Sequence, residues 1–199
     1  MRHGRRQQIL EVLARELETR PGARLTTAGL AAAVGVSESA LYRHFPSKAK
    51  MYEGLIEFAE ETVFGLVSRI LQSEPDPRRR CAQIGTVVLQ FAEKNPGITR
   101  LLIGDVLLGE HARLHARVVQ FFDRLETQLR QILREATLTA GPQPDRGAIL
   151  ASANLYGAVL LGRLAQFVRS GFRQLPTTYW AEQWPLLALS LFSPGPSTD

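Results

Sequence analysis

The sequence predicts an all-α protein that combines a small basic helix-turn-helix head with a larger helical body, about nine helices in total. Three observations support this fold class. Apolar residues recur at helical spacing along most of the chain, two short helices near the N-terminus, of which the second is polar, are separated by a glycine-containing turn, and the surplus of basic residues is confined to the first quarter of the chain.

The first helix of the head is predicted over residues 7–19. Its apolar residues recur at intervals of three or four positions, which places them on one face of a helix. We expect this face to be buried against the rest of the head. It consists of Ile9, Leu10, Leu13 and Leu17.

A helix-turn-helix follows the first helix. Thr26 and Thr27 can cap a helix over residues 29–34, because a threonine hydroxyl accepts a hydrogen bond from a first-turn amide. Gly35 supplies the backbone freedom that a sharp turn between helices requires, and Ser37 caps the next helix.

The third helix, residues 38–44, has the side-chain types that contact DNA in a major groove. Hydroxyl and Arg side chains reach phosphate oxygens or base edges, and a small side chain lets a helix approach a thymine methyl group. A helical hairpin with a polar outer face is the alternative explanation of the pattern. The candidate DNA-contacting residues are Thr26, Thr27, Ser37, Ser39, Ala40, Tyr42, Arg43, His44 and Lys48.

The distribution of charge favours the DNA-binding explanation. Residues 1–50 contain nine Lys or Arg and four Asp or Glu, whereas the remaining 149 residues contain 15 of each kind. The net charge of +5 therefore lies entirely within residues 1–50, as expected for a domain that faces phosphates on an otherwise neutral body. We expect residues 1–47 to form the DNA-binding domain, residues 48–193 a regulatory and dimerisation domain, and residues 194–199 a disordered tail.

The fourth helix, residues 48–73, carries a core stripe and a second face of interest. Phe58 lies off the stripe and shares a flanking face with Arg69, eleven positions later. Either Phe58 packs on a neighbouring helix, or this face binds a partner, since aromatic and Arg residues are common interface anchors. The stripe itself consists of Leu55, Ile56, Ala59, Val63, Leu66, Val67 and Ile70.

Caps, prolines and glycines delimit the remaining helices. Asp76 caps a helix that starts at Pro77, and the three arginines that follow are expected to lie in solvent. Asp145 caps a later helix that Gly171 ends. The predicted spans are residues 77–94, 96–108, 110–138 and 146–170, followed by a last helix between residues 179 and 192. The third of these spans has a stripe of Leu114, Val118, Phe121, Leu125, Leu129 and Ile132.

The last two helices are apolar around nearly their whole circumference. A helix without a polar face is either central in a large core or buried by a second copy of the chain. In a chain of this size, two such helices indicate a homodimer with a four-helix interface. Pro185 is expected to kink the last helix. The candidate interface residues are Leu155, Val159, Phe167, Trp184 and Leu187.

Other classes of site are not indicated. Cys81 is the single cysteine, so it cannot form an internal disulfide and is expected to be buried in a protein of a reducing cytoplasm. We expect no signal peptide, and the longest uncharged apolar-rich run, residues 147–162, is 16 residues long, short of a membrane span. His111 and His115 are one helical turn apart, but no third metal ligand accompanies them. No cofactor, metal, membrane contact or catalytic activity is expected.

The head resembles the TetR family of bacterial DNA-binding proteins. The run VGVSESALYRHFPSKAKMY is similar to the helix-turn-helix signature of that family, with Tyr42, His44, Phe45, Ser47 and Lys48 at signature positions. Later segments are similar to a branch of the family that acts in nucleoid occlusion, so that the resemblance covers nearly the whole chain. These segments are GLIEFAEE, EKNPGITRLL, ETQLRQILRE, FVRSGF and the Trp-Pro-Leu of residues 184–186.

The resemblance implies a homodimer that reads palindromic double-stranded DNA with two helices about 34 Å apart in successive major grooves. It implies that Tyr42, Lys48 and the threonine hydroxyls hold phosphates, while Ser39, Ala40 and Arg43 face bases. It also implies a cytoplasmic, nucleoid-associated protein that engages the cell-division GTPase FtsZ, so that the division ring does not assemble over unsegregated DNA.

In this branch the long fourth helix and the turn before the next proline-started helix bind FtsZ. Phe58, Lys94 and Asn95 match that surface in position. The branch has an arginine where this chain has Leu66, and Arg69, one turn further on, is the candidate replacement. The alternative function is that of a ligand-responsive repressor, in which a small molecule enters the body and changes the separation of the two heads. Nucleoid occlusion requires no such ligand.

Overall fold

A computed structural model describes residues 4–19, 25–107, 112–138 and 146–192. Helices are the regular elements in these ranges, which confirms the all-α fold class. They are α1 (Arg5–Thr19), α2 (Thr27–Val34), α3 (Glu38–His44), α4 (Lys48–Ser73), α5 (Pro77–Lys94), α6 (Pro96–Leu102), α7 (Ala112–Leu138), α8 (Arg146–Arg169) and α9 (Trp180–Leu191).

The chain divides into two compact units that do not follow the predicted boundary after residue 47. The first unit contains Met1–Thr62 and Lys94–Val119, and the second contains Val63–Glu93 and Gln120–Asp199. Helices α4 and α7 each contribute to both units. The division into a DNA-binding and a dimerisation domain stays a prediction about function. The predicted tail, the Asp145 cap and His111 lie outside the described residues.

Close packing of α6 on α1 defines the core of the first unit. A Cβ atom at Gly97 would overlap the backbone carbonyl of Ala14, so only glycine permits this approach. Arg100 is buried beside it, where its Nη1 donates to the Leu17 carbonyl oxygen at 2.6 Å and its Nη2 lies 2.6 Å from Asp105. The predicted apolar face of α1 is buried, with Ile9 and Leu13 at 0% exposure.

Aromatic side chains from α8 and α9 fill the core of the second unit. The Tyr156 hydroxyl donates to the Cys81 carbonyl oxygen at 2.6 Å, and the Trp180 indole donates to Thr86 at 3.1 Å. A Cβ atom at Gly85 would overlap both rings. Cys81 is buried as expected, and this burial raises the pKa of its thiol to about 12.

Arg80 corrects the prediction that the arginines after Pro77 are solvated. Its guanidinium donates to the carbonyl oxygens of Glu74 and Leu71 at 2.5 and 3.2 Å and to Glu135 at 2.6 Å. Arg80 thereby joins the C-terminal end of α4 to α5 and α7, whereas Arg78 and Arg79 are exposed. Because Glu135 is 55 positions away, no local pattern indicated this contact.

One helix length differs clearly from the predictions. Helix α6 ends at Leu102 rather than near residue 108, because Gly104 adopts a left-handed conformation with φ of 81°. Helix α8 has 24 residues, in agreement with the predicted span of residues 146–170, and by length and composition it is long and apolar enough to cross a membrane. Such a helix also occurs in water-soluble folds where another surface covers its apolar face.

Candidate DNA-binding surface

Three hydroxyl caps position α2, α3 and α4, and those at Thr26 and Ser37 confirm the predictions. Thr26 accepts a hydrogen bond from the Gly29 amide at 3.1 Å, and Ser37 accepts one from the Ala40 amide at 3.2 Å. Ser47 caps α4 by accepting from the Lys50 amide at 3.2 Å. The turn between α2 and α3 passes through Gly35 at φ of 76°, a left-handed conformation in which a side chain would be strained.

Helix α3 has a buried side that anchors it and an exposed side that carries the candidate DNA contacts. Leu41 and the following Phe45 are 0% and 1% exposed and fix the helix on the head. The exposed side has a tyrosine that is 41% exposed, next to basic and hydroxyl side chains. Its members are Ser39, Tyr42, Arg43 and His44, with Ala40 half-buried between them. A helix of this kind can enter a major groove without rearrangement of the core.

The two threonines of the head have different roles. Thr26 is exposed, and a hydroxyl that accepts from a backbone amide can still donate its proton to a phosphate oxygen. Thr27 instead donates its proton to Glu38 at 3.0 Å, which joins the start of α2 to the start of α3. This bond gives Thr27 a positioning role, while its contact with DNA stays a prediction.

Two cations lie over aromatic rings beside α3. The Lys48 ammonium is 5.3 Å from the centre of the Tyr52 ring, and the Arg6 guanidinium is 4.8 Å from the centre of the Phe45 ring. A cation over an aromatic face keeps its charge while its position is restricted. Lys48, a predicted phosphate contact, is thus held close to the first turn of α4.

A charged groove of about 420 Å³ adjoins the C-terminal end of α3. In it, Glu53 is only 12% exposed in its side chain and lies between two cations. One carboxylate oxygen is 2.6 Å from the Lys50 ammonium, and the other is 3.2 Å from the Arg113 guanidinium. The hydrogen bond from Lys50, helped by the charges of Arg113 and Arg117, holds the pKa of Glu53 below its ordinary value despite its burial.

Lys50, Glu53, Arg113 and Arg117 were not among the predicted site residues. The spacing of Lys50 and Glu53, three positions apart on a helix, is the one local signal of their ion pair. Arg113 and Arg117 approach α4 from α7, and the latter is 2.5 Å from Glu60. Such contacts across 57 or more positions have no local signature.

The residues predicted to bind FtsZ lie on α4 and at the junction of α5 and α6. Phe58 is 37% exposed, and Lys94 is exposed. Asn95 is half-buried and occupies the position before α6, where its side chain does not cap the helix. These three residues belong to the first unit, whereas Arg69 is exposed in the second. The role of all four in binding stays a prediction.

Four of the five residues predicted at a dimer interface remain candidates. Leu155 is 46% exposed, and Val159, Trp184 and Leu187 are half-buried. Phe167 is only 1% exposed and packs against Phe172 with ring centres 5.2 Å apart. It is withdrawn from the proposed interface, because its side chain already belongs to the core of the protomer.

Two further features of the described residues bear on ligands. They contain no group of three His, Cys, Asp or Glu side chains that could hold a metal ion. His115 lies with its Nε2 3.1 Å from the Leu107 carbonyl oxygen. A groove of about 330 Å³ borders α8 in the second unit, and Arg163 extends along it to contact the Pro176 and Thr178 carbonyl oxygens at 2.7 and 3.0 Å.

Known protein families match both the N-terminal and the C-terminal part of this sequence. Residues 9–55 match a family model described as bacterial regulatory proteins, tetR family, and residues 77–191 match one described as tetracyclin repressor-like, C-terminal domain, of the SlmA-like type. A nucleoid occlusion factor SlmA from Marinomonas sp. (strain MWYL1) is 53% identical over 190 residues, which are 96% of each chain. One from Shewanella woodyi is 55% identical over 188 residues, or 94% of each chain. The chain belongs to the SlmA family of nucleoid occlusion factors, within the TetR family.

Solved structures support the same fold for this SlmA family member. The regulator MbdR from Azoarcus sp. CIB superposes with a TM-score of 0.75 at 17% identity, over 96% of this chain and 98% of that one. The TetR family regulator PfmR from Thermus thermophilus gives 0.73 at 21% identity, over 90% and 96%. The matching families are regulators rather than enzymes, and the TetR-type head is a DNA-binding element.

Proposed function

We propose that two copies of the chain bind a palindromic DNA site and simultaneously engage FtsZ, so that the division ring does not assemble over the chromosome. The observation that carries this proposal is the 53–55% identity to nucleoid occlusion factors along 94–96% of the chain. The exposed polar side of α3 supplies the surface that contacts DNA. The protein then acts at the nucleoid in the cytoplasm.

Phosphate and base contacts are assigned to different parts of the head. Thr26, Tyr42 and Lys48 hold phosphates, because they flank the exposed side of α3 and end in hydroxyl or ammonium donors. Ser39, Ala40 and Arg43 face base edges. Ser37 and His44 border these two groups at either end of α3. A dimer doubles this surface, so the site is palindromic and half-sites are about one helical turn of DNA apart.

The FtsZ contact is assigned to Phe58, Lys94 and Asn95. An exposed aromatic ring together with charged and amide side chains is the composition expected of an interface anchor. Arg69 is a separate candidate, because it could supply the positive charge that the branch carries at the position of Leu66.

The dimer contact is assigned to α8 and α9. Their apolar side chains remain on the surface of the protomer, with Leu186 and Leu189 at 67% and 61% exposure. Large apolar side chains that are more than half exposed on the same pair of helices indicate a surface that another protein covers. A second copy covers them in the proposed dimer, through Leu155, Val159, Trp184 and Leu187.

Co-sedimentation with FtsZ filaments, with and without a palindromic duplex, tests this function. We expect the wild-type protein to pellet with the filaments under both conditions. Phe58→Ala should bind the duplex like the wild type and remain in the supernatant; loss of both activities would instead indicate that Phe58 supports folding. A small molecule that releases DNA from a protein with no affinity for FtsZ would favour the ligand-responsive repressor.

A further inference from the structure

Glu53 occupies an unusual position for an acidic residue in a DNA-binding head. It lies one and a half turns into α4, and its carboxylate faces the groove that adjoins His44 at the end of the DNA-reading helix. Two carboxylates, Glu53 and Glu57, line the groove together with four basic side chains: Arg6, Lys50, Arg113 and Arg117. The groove therefore carries a net positive charge next to the proposed DNA surface.

The geometry of Glu53 restrains part of that charge. Both of its oxygens are used: Oε2 is 2.6 Å from the Lys50 ammonium, and Oε1 is 3.2 Å from the Arg113 guanidinium. Lys50 and Arg113 are 43% and 67% exposed in their side chains, so each is long and accessible enough to move to a phosphate if released. Arg117 is held separately by Glu60.

Lys50 is close to the DNA-contacting elements. It lies in the first turn of α4, two positions after Lys48, and shares the groove with His44. A duplex whose major groove holds α3 presents its phosphate backbone along the edges of that groove. Because Lys50 lines the same groove as His44, the last residue of α3, it lies within the region where phosphates pass.

We propose that Glu53 limits the affinity of this protein for DNA of any sequence by holding Lys50, and with it Arg113, away from the phosphate backbone. Glu53 is a positioning residue in this account. It reduces the number of phosphates that the head neutralises, and fewer neutralised phosphates give weaker and less salt-dependent binding. The protein then leaves non-specific chromosomal DNA faster, while base contacts from α3 still select the specific site.

This inference rests on the proposed DNA binding, and it predicts that loss of an acidic residue strengthens binding. Each released cation that reaches a phosphate should steepen the slope of log K against log salt by about 0.9. At about 0.15 M salt, the release of Lys50 alone in Glu53→Gln should therefore raise the affinity for a scrambled duplex roughly fivefold, and that for a palindromic duplex by a similar factor.

Fluorescence anisotropy with palindromic and scrambled duplexes over a range of salt concentrations tests the inference. Glu61→Gln, an exposed carboxylate further along α4, is the control for the loss of one negative charge and should leave the slope unchanged. Lys50→Ala should change the slope little in the wild type, because Glu53 already holds Lys50. In the Glu53→Gln background, Lys50→Ala should remove most of the added slope.

Two results would overturn the inference. The first is a Glu53→Gln protein that is folded by circular dichroism and has the wild-type slope. The second is a Lys50→Ala protein, with Glu53 intact, whose slope of log K against log salt is smaller than that of the wild type by about one. Lys50 would then already contact a phosphate in the wild type. This second measurement remains decisive if Glu53→Gln does not fold. Failure of the wild-type protein to bind either duplex would refute the proposed function instead.

Discussion

Single residues of the head are assigned either to phosphates or to bases, and the two roles make different predictions. Lys48→Ala should weaken binding to palindromic and scrambled duplexes alike and reduce the salt slope by about one, because an ammonium on a phosphate carries no sequence information. Anisotropy titrations on both duplexes measure this. A change of sequence preference in Lys48→Ala would show that Lys48 contacts a base.

Arg43→Ala is the matched test of a base contact. Arg43 is exposed on the same side of α3 as Tyr42, and its guanidinium can donate two hydrogen bonds to a guanine edge. We expect the variant to lose about 1–3 kcal/mol of discrimination between the palindrome and single-base variants of it. Selection of preferred sites from a random pool should show relaxed preference at one position in each half-site. An unchanged preference would indicate that Arg43 contacts the DNA backbone rather than a base.

The carboxyl group of Glu53 also links stability to pH. Its pKa is held below 4.5 in the folded protein, mainly by the hydrogen bond from Lys50, and Arg113 and Arg117 add to the effect. A carboxyl whose pKa is lowered by folding stabilises the protein above its unfolded pKa, and this contribution is lost as the pH falls through the folded pKa. The Tm difference between wild type and Glu53→Gln should therefore be largest near neutral pH and shrink below about pH 4.5. A difference that stays constant on acidification would contradict this assignment.

At the level of helices, the contact between α1 and α6 depends on a single glycine. Gly97→Ala places a methyl group against the Ala14 carbonyl, and backbone atoms cannot move aside as a flexible side chain can. We expect a loss of about 1–3 kcal/mol in the free energy of unfolding, measured by urea denaturation. Gly65→Ala in α4 is the control, since apart from its chain neighbours and the backbone of its own helix no atom lies within 4 Å of its Cβ position. It should leave stability unchanged or raise it by up to about 1 kcal/mol.

The buried face of a helix was predictable from sequence where the helix has a single apolar face. It was not predictable where the helix is buried on two sides. The stripe of α7 is buried at every predicted position, because a single 3.6-residue period fixes both the helix and its inward face. In α4, Phe64 lies outside the predicted stripe and yet is 4% exposed, packed against Phe121 at 5.3 Å between ring centres. In α8 the apolar residues surround the helix, so the sequence did not reveal that Phe167 faces inward.

Parts of the site that depend on local chemistry were also predictable. The caps at Thr26, Ser37 and Ser47 and the turn at Gly35 follow from side-chain hydroxyls and backbone freedom within a few positions. The Glu53 contact with Arg113 spans 60 positions, and nothing in either segment specifies the other. The head was therefore recognisable from sequence, whereas the ion pairs around Glu53 could be identified only from the folded structure.

For the whole molecule, the apolar surfaces of α8 and α9 predict an obligatory association of two chains. Leu155→Glu places a charge on that surface, where burial without a partner is costly, and should convert the dimer to a monomer in sedimentation equilibrium. Val119→Glu is the control: Val119 is 56% exposed on α7, outside both helices, and its replacement should leave the dimer intact. A Leu155→Glu protein that remains dimeric would move the interface elsewhere. A monomeric protein should also lose most of its affinity for the palindrome.

The central proposal is that one dimer holds DNA and FtsZ at the same time. Its most direct test is the sedimentation of a fluorescently labelled palindromic duplex with FtsZ filaments. The duplex should pellet only when the protein is present, and it should stay in the supernatant with Phe58→Ala even though that variant binds the duplex normally. If the duplex instead displaces the wild-type protein from the filaments, DNA and FtsZ compete for the protein, and the account is contradicted.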